Sequence, residues 1–253
     1  PRVKWDWALQ PVEKGGMNLF VFKYPQACAL FPTLSKDRTC VVSWRAGAMD
    51  APRRTDKTHE FLYLVGSSPN KVRAAETIVQ TWKPEWPALQ VRLAAEYIDR
   101  VTTAAKDRAN VHCRLVYDTQ EERIAAQYAY KWHVVASCAE GFGFTFAEAA
   151  QSGGLPLWND LPVYVDNWGS VLGSCGRIQN SDVEETMFHD GMRRFTEAAV
   201  VDAVERLMAL DAEAEDKIRK DLLALTKQRS KEFRDGWRDV LKRVAGIAKR
   251  NKC

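Results

Sequence analysis

The chain has 253 residues, of which 46% are hydrophobic and nine are tryptophan, so it can bury a large core and needs neither disulfides nor a structural metal for stability. No apolar stretch approaches the ~20 residues of a membrane-spanning helix, and the first seven residues lack the apolar run of a secretory signal. The six cysteines are scattered and form no CxxC pair, which favours reduced thiols and predicts a cytoplasmic protein.

The first 56 residues differ in pattern from the rest of the chain. They hold two apolar stretches, Leu19–Tyr24 and Cys40–Trp44, and a break at Pro52-Arg53-Arg54. We therefore predict a separate N-terminal segment over residues 1–56 and a main domain over residues 57–253.

Strand-like and helix-like patterns alternate from Phe61 onward, which is typical of a parallel sheet wrapped by helices. The predicted strands are Phe61–Val65, Leu89–Leu93, Val111–Tyr117, His133–Ser137 and Leu155–Trp158. The predicted helices are Lys71–Trp82, Tyr97–Lys106, Glu121–Trp132 and Thr145–Gln151, with two more between residues 196 and 253. The pattern predicts an α/β fold, a Rossmann-like parallel sheet flanked by helices and followed by C-terminal helices.

The C-terminal segment carries the positive charge of the protein. Residues 227–253 contain ten Lys or Arg and three acidic residues, whereas the whole chain has a net charge of only +4. Two interpretations stay open: a solvated helix face, or contact with nucleic acid or a membrane leaflet through Arg229, Arg234, Arg238 and Lys242. A nucleic-acid footprint over the whole protein would require basic residues on the body as well.

A predicted strand, a glycine-bearing turn and a helix follow one another between Ser137 and Gly154. Such a turn exposes backbone N–H groups at the positive end of a helix dipole, which suits a phosphate, and Gly143 lets the backbone approach a ligand closely. Glu140 precedes the helix and Glu148 lies about one turn inside it. Both are expected to border a cleft at the carboxyl ends of the strands, where open α/β sheets bind ligands.

Seven residues separate Glu140 from Glu148 in EGFGFTFAEAAQSGG, and this segment resembles the E-x7-E signature of retaining GT-B-fold glycosyltransferases of family four. The resemblance extends upstream through residues 115–137 to FLYLVGSSPNKVRAAETIVQTW. There, Gly66 and Lys71 match the glycine and the phosphate-binding lysine of the family's donor domain. In all, it covers about residues 61–167 and continues less firmly to about residue 225.

The resemblance implies a GT-B-type donor domain that transfers a hexosyl or pentosyl group from a nucleotide-diphosphate sugar with retention. Glu140 would be the catalytic residue and hold hydroxyls of the transferred sugar, and Glu148 would accept hydrogen bonds from the ribose. Lys71 and the start of the helix would stabilise the charge of the leaving nucleotide, so neither a metal nor a cofactor is expected. The substrate-binding residues implied are Gly66, Ser67, Lys71, Arg73, Val116, Tyr117, Gly143, Phe144, Thr145 and Glu148.

Three departures from the family pattern are visible, of which the mildest is Ala136 in place of the usual proline before Ser137. Ser67 stands where the family usually has an arginine, and Arg73 is either its replacement or a solvated side chain. Only about 56 residues precede the donor domain, so we interpret them as a remnant of an acceptor domain. The alternatives are a catalytically incomplete enzyme, a non-catalytic nucleotide-sugar-binding subunit that needs a partner domain or forms a homo-oligomer, and a sugar transferase acting on nucleic acid. The acceptor is unknown.

Overall fold

In the computed structural model of the protein, the described residues are 19–23, 28–29, 31–42, 45, 56–180, 182–184 and 192–250. The chain divides into two compact units. The larger unit comprises residues 46–226, and the smaller one combines residues 1–45 with residues 227–253. None of the helices in these described ranges has the length and apolarity needed to cross a bilayer.

The larger unit contains a parallel sheet of six strands in the order β5-β4-β3-β6-β7-β8. The strands are β3 (Thr58–Gly66), β4 (Leu89–Leu93), β5 (Val111–Leu115), β6 (Tyr130–Val134), β7 (Leu155–Asn159) and β8 (Arg177–Ile178). The strand order reverses between β3 and β6. The carboxyl ends of the strands at such a switch point form a crevice that binds ligands in open α/β sheets.

Seven α-helices of eight residues or more lie within the described residues. They are α1 (Pro69–Thr81), α2 (Ala95–Ala104), α3 (Gln120–Ala129), α4 (Phe144–Gln151), α5 (Pro162–Leu172), α6 (Glu197–Met208) and α7 (Ala212–Arg250). Proline occupies the first position of both α1 and α5, where its missing N–H costs nothing. The order of elements and the parallel sheet confirm the predicted α/β fold class.

The core of the larger unit is built from aromatic and branched side chains on both faces of the sheet. Phe61 of β3 packs between Trp82 and Trp132, with ring centroids 4.9 and 4.8 Å away. On the other side, Phe146 stacks on Trp168 at 4.2 Å. Burying one such side chain stabilises the fold by about 1.5–3 kcal/mol. The first contact holds the end of α1 against the sheet, and the second packs α4 against α5. The candidate site lies at the first turns of α1 and α4.

The smaller unit has a two-stranded parallel sheet, β1 (Phe20–Phe22) with β2 (Thr39–Val41), next to the end of α7. Arg243 donates to the carbonyl oxygen of Thr39 at 2.9 Å. Gly236 lies against Val42, since a Cβ there would stand 3.0 Å from Val42 Cγ1. The larger unit also contains a third sheet, in which β9 (Asp182–Glu184) pairs with β10 (Met192–Arg194) in antiparallel fashion.

Several predicted boundaries differ from the structure. The helix predicted to reach Trp132 ends at Ala129, and residues 130–132 begin strand β6 instead. The cause is pairing with β3, which sets Phe61 opposite Trp132 and stacks their rings. The strand predicted to reach Tyr117 ends at Leu115, and α5 was not predicted at all. The two predicted C-terminal helices are confirmed as α6 and α7.

Candidate functional site

Lys71, Glu140 and Thr145 meet at the carboxyl end of the sheet. Lys71 is the third residue of α1, which follows β3 after a short turn. Gly66, the last residue of β3, has a φ of +63°. The Nζ of Lys71 lies 3.4 Å from Glu140 Oε1 and donates to Thr145 Oγ1 at 3.1 Å. The side chains of Lys71 and Glu140 are only 13% and 15% exposed. Three of the predicted site residues, from distant parts of the sequence, thus form one contact cluster.

Gly143 makes the turn between Glu140 and α4. It has a φ of +84° and caps the helix, and a Cβ at this position would stand 2.3 Å from Tyr164 Cε1. Only glycine fits both the left-handed backbone and the contact with the tyrosine ring. Phe144 and Thr145 follow as the first two helical residues, and Phe144 is 43% exposed. The N–H groups at the start of a helix have no intrahelical partner and attract anions.

Glu148 lies farther along α4 and faces helix α3. Its Oε2 accepts hydrogen bonds from Arg123 Nη1 at 2.6 Å and from Gln127 Nε2 at 2.7 Å. The Glu148 side chain is 12% exposed and Gln127 is fully buried. Sequence reasoning missed Arg123 and Gln127. Their spacing of four residues places them on one face of a helix, but only the packing of α3 on α4 shows what that face contacts.

β5 is an edge strand of the sheet, and exposed apolar side chains follow one another at its carboxyl end. Leu115 and Val116 are 51% and 45% exposed, and the Val116 N–H donates to the carbonyl oxygen of Leu93 at 3.0 Å. The guanidinium of Arg92 lies over the Tyr117 ring at 4.3 Å. Exposed apolar side chains next to a covered aromatic ring offer a surface on which a flat base can pack.

Ser67 and Arg73 lie on either side of Lys71 in the chain. Ser67 is exposed in the turn that precedes α1. Arg73 lies two residues beyond Lys71, about 200° around the helix axis, and lines a cavity of about 460 Å³ together with Arg100 and Arg194. This spacing directs Arg73 and Lys71 to different faces of α1, and the role of Arg73 as a replacement for the family's arginine stays a prediction.

Two buried tyrosines hold the backbone around the cluster. Tyr63 Oη lies 2.7 Å from the carbonyl oxygen of Ala136, and Tyr164 Oη donates to the carbonyl oxygen of Val135 at 2.9 Å. Burial raises the pKa of both phenols well above the ordinary value, and the charge of Glu140 acts in the same direction. Both tyrosines stay neutral and act as fixed hydrogen-bond donors.

Asn159 and His133 are buried polar residues of strands β7 and β6. The Asn159 side chain accepts from the Ser137 N–H at 3.0 Å and donates to the Ser137 carbonyl oxygen at 2.7 Å. His133 is buried under Gly154, and burial lowers its pKa to about 3, with the charge of Lys57 acting in the same direction. A histidine with that pKa is neutral at physiological pH.

No protein-family model matches the sequence, and the search of curated proteins found no match. Solved structures do match the fold. A glycosyltransferase from Rickettsia africae ESF-5 superposes with a TM-score of 0.72 at 11% identity, over 96% of this chain and 68% of that one. The GtfA/B complex gives 0.64 at 14% identity, over 95% and 48%. The pneumococcal O-GlcNAc transferase GtfA in complex with UDP and GlcNAc gives 0.60 at 11% identity, over 95% and 47%.

The fold matches that of GT-B glycosyltransferases, the class to which the matching structures belong. The resemblance stated from the sequence is thus confirmed at the level of architecture. Identities this low show the fold alone, so the E-x7-E signature and the roles of individual residues stay predictions. The chain spans about half the length of the GtfA/B and GtfA structures.

Proposed function

We propose that this protein binds a nucleotide-diphosphate sugar and acts as a retaining glycosyltransferase or as its donor-binding part. The observation that carries the proposal is the cluster of Lys71, Glu140 and Thr145 at the first turns of two helices. The cluster lies at the topological switch point of the sheet, where open α/β sheets bind their ligands.

The cluster offers the charge pattern that a diphosphate requires. Lys71 is a point charge on a flexible stem, and in this structure it pairs with Glu140 at 3.4 Å. A diphosphate would give Lys71 a more highly charged partner, and the start of α4 would face the same phosphates with its N–H groups. Together they would stabilise the charge that develops on the leaving nucleotide, the task that a metal ion performs in other transferases.

The two carboxylates would contact different parts of the donor. Glu140, released from Lys71, would accept hydrogen bonds from the hydroxyls of the transferred sugar next to the reacting carbon. Glu148 would accept from the ribose hydroxyls, and the exposed edge of Leu115 and Val116 would border the base. The pneumococcal neighbour, which was solved with UDP and GlcNAc, supports a nucleotide sugar as the class of donor.

A second function is favoured by one comparison. The GtfA/B neighbour is a complex, and this chain spans 48% of the matched chain. A nucleotide-sugar-binding subunit whose acceptor domain lies on a partner would fit the same site geometry. Turnover by the purified chain with a bound donor separates this function from that of an enzyme active alone.

The basic C-terminal helix gives no comparable support for nucleic acid or a membrane. Arg238 and Lys242 pair along α7 with Asp235 and Asp239 at 3.1 and 3.6 Å. Burial lowers the pKa of Arg229, which therefore does not belong to an exposed basic surface. Charge pairs at such spacing are typical of a solvated helix face.

Calorimetric titration with UDP-, GDP- and ADP-sugars tests the proposal. The wild-type protein should bind one of these donors, and Lys71→Gln should weaken that affinity by about 10- to 100-fold, as expected for loss of a charge-assisted bond. Lys83→Gln is the matched control, because Lys83 pairs with Glu205 at 2.6 Å outside this cluster. A wild-type protein that binds none of the three donor classes contradicts the proposal.

A further inference from the structure

The Glu148 carboxylate is held from one side by two residues that belong to no recognised motif. Arg123 and Gln127 both donate to Oε2, at 2.6 and 2.7 Å. Among the described residues, no other hydrogen bond to this carboxylate is found. Because both bonds end on the same oxygen, Oε1 keeps its lone pairs for another donor.

Helix α3 presents these two residues in a fixed geometry. Its start is locked by a capping box, in which the Glu122 N–H donates to Thr119 Oγ1 at 3.1 Å and the Glu122 side chain accepts from the Thr119 N–H at 3.3 Å. Arg123 and Gln127 lie four residues apart, on the face that meets α4. Gln127 is fully buried, so its amide has little freedom to turn away from the carboxylate.

The charge at this position also requires a partner. Glu148 is 12% exposed, and a carboxylate removed from water to that extent is costly unless it is paired. Arg123 supplies the countercharge through a side chain that is 33% exposed. Without it, only Gln127 would hold Glu148, and part of the ordering of this side chain would have to occur when the ligand binds.

We propose that Arg123 is a positioning residue of the nucleotide site, which holds Glu148 so that its second oxygen accepts the hydroxyls of a ribose. The inference rests on the proposed function, because the position of Glu148 matters only if a ribonucleotide binds there. Arg123 acts through Glu148 and makes no contact of its own with the nucleotide.

A comparison of ribose and dideoxyribose ligands tests this indirect action. The dissociation constants of UDP, GDP and ADP are measured by calorimetry, and the nucleotide that binds is then compared with its 2′,3′-dideoxy form. Arg123→Gln should weaken binding of the ribonucleotide about tenfold, the effect of one hydrogen bond to a charged group, and leave the dideoxy form unchanged. In a Glu148→Gln background, Arg123→Gln should cause no further loss.

The controls separate positioning from stability. Arg100→Gln removes an ion pair of the same kind between two helices, since Arg100 Nη2 bonds Glu76 Oε2 at 2.6 Å, and should not affect either nucleotide. Arg123→Lys keeps a positive charge and the fold, and should restore part of the ribonucleotide affinity. If Arg123→Gln lowers the melting temperature strongly, the same ribose comparison is made with Arg123→Lys.

The outcomes distinguish failure of this inference from failure of the proposed function. Equal losses for the ribonucleotide and the dideoxy form would show that Arg123 touches the nucleotide directly or only supports the fold, and would overturn the inference. Tighter ribonucleotide binding by Arg123→Gln would show that Arg123 competes with the ribose, which also overturns it. A wild-type protein that binds no nucleotide refutes the proposed function itself, whereas a wild type that binds both forms equally refutes only the ribose role.

Discussion

Glu140 and Glu148 flank the same turn, yet their surroundings differ. Glu140 meets a lysine that arrives from α1, at 3.4 Å. Glu148 is bonded by an arginine and a buried amide from α3, at 2.6 and 2.7 Å. A lysine ammonium is a compact charge on a flexible stem, whereas an arginine has a planar fork that loses less freedom for each bond it forms.

The two carboxylates therefore differ in how firmly their side chains are held before a ligand binds. Glu148 is held before any ligand arrives, so the nucleotide end of the proposed site is preorganised. Glu140 must exchange its lysine for another donor, and the arrival of a diphosphate would provide the reason for that exchange. The sugar end is therefore the adaptable part of the site.

Glu140→Gln gives the largest expected effect and tests the adaptable end. It should lower sugar transfer or donor hydrolysis by about 10²- to 10³-fold, because a group that stabilises developing charge is worth that much in turnover. Affinity for the free nucleoside diphosphate should stay nearly unchanged, as measured by calorimetry. A large loss of affinity for the nucleotide alone would break the division of labour between the two glutamates.

Gly143→Ala tests the turn that both carboxylates share. The new Cβ would stand 2.3 Å from Tyr164 Cε1, so overpacking and the left-handed backbone should together destabilise the fold by about 2–4 kcal/mol. Chemical denaturation measures this loss.

Gly66→Ala is the control for backbone strain. Gly66 also has a positive φ, of +63°, but a Cβ there meets nothing within 4 Å. This variant should lose only about 1–2 kcal/mol. Equal losses for the two variants would show that the contact with Tyr164 contributes nothing.

Glu148→Gln tests the preorganised end and has a smaller expected effect. It should weaken binding of the nucleoside diphosphate by about 1–3 kcal/mol, the range for a hydrogen bond to a charged group. Calorimetry measures the loss, and thermal unfolding checks that the fold is intact. Unchanged affinity in a folded variant would remove Glu148 from the ribose site.

The sequence predicts the sheet and most of the helices because their apolar residues repeat with the right periods. Predicted element boundaries are wrong where strand pairing determines the secondary structure. Trp132 is an example, because its ring stacks on Phe61 at 4.8 Å and residues 130–132 belong to β6. Helix α5 was missed although Pro162 stands at its first position and Gly173 caps its end, which are ordinary start and stop signals.

The sequence predicts those residues of the site that belong to local motifs. Glu140, Lys71 and Thr145 were named from the sequence, and the structure brings them together. Arg123 could not be named, because its contact with Glu148 depends on how α3 packs on α4, and no local pattern contains that information. Arg73, in contrast, was predicted from its proximity to Lys71 in the sequence, but a spacing of two residues does not place both side chains on the same face of α1.

The smallest expected effect is that of removing divalent metal. Lys71 already places a positive charge beside Glu140 and Thr145, and the start of α4 adds the partial charge of its dipole, equivalent to about half an elementary charge. These two sources should neutralise much of a diphosphate, so donor affinity measured in excess chelator should equal that measured with added magnesium or manganese. Lys71→Gln sharpens the test, because a variant without its cation should gain affinity when metal is added, while the wild type should not. A strict requirement of the wild type for either metal would show that Lys71 and the helix start do not carry the charge of the diphosphate.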